Sequence, residues 1–140
     1  MIFALDTTAF SAAMRNEDEI VSFLSAHRPG EIATVQPVVA EIEYGLHRLD
    51  SGSRKHALLA AQKRRLLDVI GVLVWDSDSS ANFGRMKAEL ETTGKLIDDF
   101  DIAIAAIALS HGAEVVTANL VHFGRIEGIS SRHWKSEFNN

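Results

Sequence analysis

The stretch Asp98–Thr117, DDFDIAIAAIALSHGAEVVT, decides the fold class. Ile102, Ala105, Ala106 and Leu109 recur at spacings of three and four, which predicts a helix over Asp98–His111 with these side chains on its buried side. Gly112 supplies the stop, and Glu114–Thr117 reads as a short apolar strand directly after it. Working outward, Ile2–Leu5 reads as a first buried strand, Glu31–Val35 as a second and Val72–Trp75 as a third. The segments between them carry helical stripes. Thr7 or Thr8 can cap a helix reaching Arg15. Ile20, Val21, Phe23 and Leu24 mark a second over Glu17–His27, ended by Pro29-Gly30. Val38, Val39, Ile42, Leu46 and Leu49 mark a third after Pro37, closing near Asp50–Gly52. Leu58, Leu59, Leu66, Leu67 and Ile70 mark a fourth between Ser53 and Gly71. Phe83, Met86 and Leu90 mark a fifth, capped by Ser77 or Ser80 and ended at Thr93-Gly94. The tail from Asn119 to Trp134 reads as irregular, with isolated apolar anchors. Four short apolar strands separated by helices predict an α/β domain with a mainly parallel central sheet.

Size and composition narrow the classes of function. A chain of 140 residues suits one domain, residues 1–140, and neither repeats nor a dividing linker interrupt it. With 46% hydrophobic and 24% charged residues it should fold compactly rather than remain disordered. The absence of cysteine excludes disulfides, thiolate zinc sites and cysteine nucleophiles, and suits a cytoplasmic location. The Met1–Asp6 start lacks a basic segment and its apolar run is too short for a signal peptide. The richest apolar run, Ile102–Leu109, would cover roughly half a bilayer, so no membrane span is expected. A net charge of −5 argues against nucleic-acid binding by the whole surface, but not by a local groove.

In parallel α/β sheets the working crevice lies at the carboxyl ends of the strands. Asp6 ends the first strand, Glu41 lies one turn into the helix after the second, Asp101 lies in the first turn of the alanine-rich helix, and Asn119 follows the last strand by two residues. All four can face one crevice. Glu41 and Asp101 also stand inside apolar stretches, where an ionised carboxylate is costly unless paired, hydrogen-bonded or bound to a metal. An oxygen-only donor set suits magnesium, with manganese as the alternative, rather than zinc. The plainer readings stay open residue by residue: helix caps for Asp6 and Asp101, an ion pair for Glu41, a turn for Asn119. Glu43 falls roughly 200° around the helix from Glu41 and cannot easily share its shell. Asp98 and Asp99 suit capping of the following helix.

Four blocks in order resemble a VapC-type PIN domain, and the resemblance covers nearly the whole chain. Leu5-Asp6-Thr7 is similar to that family's Leu-Asp-Thr-Asn opening. Ala40-Glu41-Ile42-Glu43-Tyr44-Gly45 is similar to its Ala-Glu-Leu-Arg-Tyr-Gly block, with Glu43 on a usually basic position. Asp101-Ile102-Ala103-Ile104-Ala105-Ala106 resembles its Asp-x-x-Ile-Ala-Ala helix. Val116-Thr117-Ala118-Asn119, then His122-Phe123, Ile126, Gly128, Ile129 and Trp134, resemble its ending. Two positions depart from the pattern. Thr8 replaces the usual asparagine, which should loosen hydrogen bonding near Asp6. Asn119 replaces a frequent fourth aspartate, giving three anionic ligands and one neutral helper.

The resemblance implies a three-layer α/β/α PIN-like sandwich and a magnesium-dependent endoribonuclease toxin that cuts structured RNA, transfer or ribosomal, and is neutralised by a cognate VapB-like antitoxin. In that reading Asp6, Glu41, Asp101 and Asn119 are both catalytic and metal-binding, and Thr7 and Thr117 position water or phosphate. It also implies a homodimer; the apolar faces at Ile20–Leu24 and Val38–Leu49 are candidate surfaces. Arg48, Arg54, Lys55, Lys63, Arg64 and Arg65 form a candidate RNA-binding patch, and equally a solvated helix face. Arg125, Arg132 and Lys135 form a smaller second patch. Trp75, Phe83, Phe123 and Trp134 read as packing anchors, and His122 as a structural hydrogen-bonding residue. The alternative is a catalytically weak PIN module with a binding or regulatory role. A Rossmann nucleotide binder lacks its glycine-rich turn here, and an aspartyl phosphatase lacks the second aspartate, position 8 being threonine.

Overall fold

The structure is a computed structural model and describes residues 1–139; Asn140, the end of the 1–140 span, lies outside the described residues. The described strands are β1 (Ile2–Leu5), β2 (Ile32–Val35), β3 (Gly71–Leu73), β4 (Ala113–Val116) and β5 (Ser131–Arg132). They form one sheet in the order β3-β2-β1-β4-β5, and every neighbouring pair is parallel. The helices are α1 (Thr7–Met14), α2 (Asp18–Ser25), α3 (Gln36–His47), α4 (Arg54–Leu67), α5 (Ser77–Thr92), α6 (Asp99–Ser110) and α7 (Leu120–Gly124).

From β1 the chain moves outward through β2 to β3, then returns through α5 and α6 to β4 on the other side of β1. Right-handed crossovers running in opposite directions put their helices on opposite faces, which makes the α/β/α sandwich. The direction changes between β1 and β4, so a crevice opens at their carboxyl ends.

The central strands are covered on both faces, which explains their unbroken apolar runs. Leu5, Val35, Val115 and Val116 are fully buried. The α6 stripe is wider than its spacing suggests. Ile102 to Ala108 are all buried while Leu109 is only partly so, because α6 packs against α5 on one side and against β2 and β4 on the other. Alanines at 103, 105, 106 and 108 let those neighbours approach closely, and Ile104 and Ile107, both at 0% exposure, fill the space between. Each fully buried isoleucine contributes ~1.5–3 kcal/mol by removal from water.

Several boundaries differ from the sequence reading. The strand expected over Val72–Trp75 ends at Leu73, and Glu31 belongs to a 3-10 turn, Pro29–Glu31, before β2. Asp76, rather than Ser77 or Ser80, caps α5 through its bond from the Ser79 backbone N–H at 2.8 Å. The tail is not wholly irregular: α7 and the edge strand β5 lie in it. The stripes at Ile20–Leu24 and Val38–Leu49 face inward. Ile20, Val38 and Leu46 are buried and Phe23, Leu24 and Ile42 pack on the core, so these are not free subunit surfaces. Among the described residues no helix is long and apolar enough to cross a membrane.

Candidate active site

Asp6 leaves the end of β1 and caps α1, accepting from the Ala9 N–H at 2.9 Å. It is 1% exposed, yet its partners are all neutral. Thr117 Oγ1, just past β4, donates to Oδ2 at 2.5 Å, and Thr8 Oγ1 donates to Oδ1 at 2.6 Å. Burial pushes its carboxyl above the usual range, the three hydrogen bonds oppose that, and the charge of Asp101 adds to the rise.

Glu41 is brought to the same end of the sheet by α3. Thr7 Oγ1 donates to its Oε1 at 2.6 Å, so consecutive threonines tie two acids from different elements to the start of α1. Asp101 lies in the first turn of α6, its side chain 17% exposed, with His122 Nδ1 of α7 at 3.2 Å from Oδ2. Burial raises its carboxyl, the His122 contact opposes this, and Asp98 adds to the rise. Asn119 begins α7 at the same rim: its backbone N–H donates to Thr117 Oγ1 at 2.7 Å, and its side chain makes no capping bond to the helix.

Thr7 and Thr117 were expected to meet water or phosphate. Each has one hydroxyl proton, and each gives it to a carboxylate. Thr8 was expected to loosen the region, but it tightens it: while donating to Asp6 it accepts from the Ala118 N–H at 2.9 Å, joining the ends of β1 and β4. The signal for this was available, because a threonine two residues after an aspartate at a helix start is well placed for a local side-chain bond.

Among the described residues, no three acidic or histidine side chains stand together as a formed metal cluster. Asp6 and Glu41 accept from threonine hydroxyls, and Asp101 faces His122. The donor chemistry nevertheless fits a hard divalent ion. Asp6, Glu41, Asp101 and Asn119 offer oxygen only, and among the described residues no lysine or arginine pairs with any of the three acids.

The neighbouring acids have other employment. Asp98 caps α6, accepting from the Phe100 N–H at 2.7 Å; Asp99 pairs with Lys87 at 3.1 Å. Glu43 turns away to Lys63 and His47. The basic patch therefore divides. Lys63 is committed to Glu43, and Arg65 reaches the Met14 carbonyl at 3.4 Å. Arg48 and Lys55 line a 710 Å³ groove between α1, α3 and α4 that also contains Thr7 and Glu41, whereas Arg54 and Arg64 do not line it. The smaller patch is largely neutralised: Arg132 pairs with Glu114 at 2.7 Å and Lys135 with Glu19 at 3.2 Å. Phe123 is fully buried, and Phe83 and Trp134 pack on the core. Trp75 is 41% exposed and, with Pro37, Phe83 and Phe100, borders a separate apolar groove of 370 Å³.

Comparison with known proteins shows the family of the fold. The PIN-domain family profile matches residues 3–128. Ribonuclease VapC2 of Haemophilus influenzae is 34% identical over 105 residues, covering 75% of this chain and 76% of that protein. The tRNA(fMet)-specific endonuclease VapC of Shigella flexneri is 27% identical over 132 residues, covering 94% and 97%. The solved structure of VapBC2 from Rickettsia felis, bound to a DNA fragment from its promoter, superposes with a TM-score of 0.85 at 25% identity, over 96% of this chain and 99% of that one. With its acids gathered at the carboxyl ends of the central strands, a family profile matching residues 3–128 and relatives covering 75% or more of its length, the chain belongs to the PIN-domain family, on its VapC branch.

Proposed function

We propose that this single domain is a divalent-metal-dependent endoribonuclease, the toxin of a toxin–antitoxin pair, acting on structured RNA in the cytoplasm. The observation that carries the reading is the buried Asp6 carboxylate with neutral partners only, beside Glu41 and Asp101 at the crevice between β1 and β4. Hydrogen bonds hold this carboxylate in place, but it has no positive partner, and a hard cation would supply one. Asp6, Glu41 and Asp101 would hold Mg²⁺, with Mn²⁺ as the alternative, and Asn119 would complete the shell through its amide oxygen. When bound, such an ion orients water and stabilises the charge that develops on the phosphate.

The chain's own residues do the rest. Thr7 fixes Glu41, while Thr8 and Thr117 fix the two oxygens of Asp6, so the acids keep their directions as the ligand arrives. One of these carboxylates would take the proton of the attacking water. His122 Nδ1 holds Asp101 Oδ2 at 3.2 Å. Arg48 and Lys55 draw the RNA backbone into the groove that Glu41 also lines.

Transfer RNA is the favoured substrate because the Shigella flexneri relative is named for one, with ribosomal RNA as the alternative. A VapB-like antitoxin is the expected partner, since the superposable neighbours are VapBC complexes. A homodimer would use the apolar groove of Pro37, Trp75 and Phe100. The second reading, a catalytically weak module, drew on Thr8 and Asn119; Thr8 donating to Asp6 removes half of that motivation. The test is cleavage of a small-RNA pool by antitoxin-free protein, in Mg²⁺ or EDTA, beside Asp101→Asn. A discrete cut that needs Mg²⁺ and is lost in the variant is expected. A folded, Mg²⁺-binding protein that cuts nothing would favour the regulatory module.

A further inference from the structure

Tyr44 is the chain's one tyrosine and, among the described residues, the most exposed of the Phe, Tyr and Trp rings, retaining 66% of its accessible surface on α3. It lies three residues after Glu41, on the same helix face and about 4.5 Å further along the axis at 1.5 Å per residue. One turn later, the Arg48 guanidinium carbon sits 5.6 Å from the ring centroid. Ring and guanidinium both line the 710 Å³ groove that Thr7, Glu41 and Lys55 also line. Packing does not account for this ring, since it belongs neither to the core nor to the residues packed on it.

Two features point to what it meets. An exposed aromatic ring beside a planar guanidinium is a stacking surface for a nucleobase, and the cation strengthens such contacts. Of the groove's three cations, Arg15 is paired with Glu17 at 2.6 Å, whereas Arg48 and Lys55 have no carboxylate partner among the described residues and can face phosphates. A flat π surface flanked by free positive charge, one helical turn from a candidate metal ligand, matches a nucleotide next to the one being cut. We infer that Tyr44 and Arg48 form the platform on which one unpaired base of the RNA stacks, setting which phosphodiester lies over Asp6, Glu41 and Asp101. This inference rests on the ribonuclease reading and adds a specificity-determining residue to it. An unstacked base in a loop is the form of RNA such a surface accepts.

The single tyrosine makes the test direct. Protein labelled with 3-fluorotyrosine gives one ¹⁹F resonance, and in an Asp101→Asn background the RNA stays intact during titration. The probes are a single-stranded ribohexamer and the same sugar–phosphate chain without bases. An upfield ring-current displacement that saturates with the hexamer and is absent with the abasic chain is expected. In otherwise unaltered protein, Tyr44→Ala should raise KM about 5- to 150-fold, the range for loss of one base–aromatic stack. Tyr44→Phe should restore it, and kcat should change much less than KM. Binding of the hexamer without displacement, or equal displacement by both probes, would overturn the inference, as would unchanged KM in Tyr44→Ala. If the unaltered protein cuts no RNA under any of these conditions, the ribonuclease reading fails instead, so the two failures are distinguishable.

Discussion

Replacing Thr117 by valine removes one hydroxyl from the centre of the candidate site while keeping the side chain's shape. Thr117 is fully buried, so the change leaves no cavity to collapse. What it removes is the 2.5 Å bond to Asp6 Oδ2 and the acceptor for the Asn119 N–H. A hydrogen bond to a charged group is worth ~1.5–3 kcal/mol, and the half-exposed Asn119 N–H can turn to water, so the cost should be about 2 kcal/mol. For a chain of this size that is a fall in Tm of roughly 6–8 °C. The pH dependence separates charge from packing. Burial raises the Asp6 carboxyl above its usual 3.8, so ionised Asp6 penalises the folded state at neutral pH, and the penalty is relieved as pH falls toward that value. Valine removes an opposing bond and raises the carboxyl further. The deficit of Thr117→Val should therefore be largest near pH 7 and shrink as pH falls to 3.8. Urea unfolding in EDTA at both pH values measures it. An equal deficit at both would show that packing, not the carboxylate, was disturbed, and no deficit at pH 7 would refute the argument outright.

Three further outcomes follow from the same structure. Magnesium at ten times its dissociation constant should stabilise the protein by ~1.4 kcal/mol in a thermal-shift assay, and Asp101→Asn should abolish that gain. Ile104→Ala, at a fully buried position between α6 and the sheet, should cost ~2–5 kcal/mol in urea unfolding; the upper part of the range is expected because its neighbours on α6 are already small. Asp76 accepts from Ser110 and Ser79, which together with His111 hold its carboxyl down to about 2. Its stabilising contribution is complete above the usual 3.8 and lost as pH falls through about 2, so Asp76→Asn should be less stable than the parent at pH 6 and converge with it in strong acid, followed by circular dichroism.

How far the sequence could be read depended on how local each determinant was. The α6–β4 stretch was legible because both the helical spacing and its glycine stop lie within twenty residues of one another. β5 was not, since Ser131–Arg132 is a two-residue polar edge whose only claim to be a strand is the neighbouring β4, reached by a long-range pairing. The acids at 6, 41 and 101 could be singled out because charge inside an apolar segment is costly wherever the segment goes. Their partners could not: Thr117 meets Asp6 across 111 residues and His122 meets Asp101 across a different pair of helices. The basic residues show the same limit from the other side. Six cations between positions 48 and 65 look equivalent in sequence, yet Lys63 is neutralised by Glu43 from twenty residues away, while Arg48 lies over Tyr44 beside the site. A charge reads as a patch only after the fold has decided which opposite charges reach it, so the candidate RNA-facing cations are those the sheet and helices leave unpaired beside the candidate site.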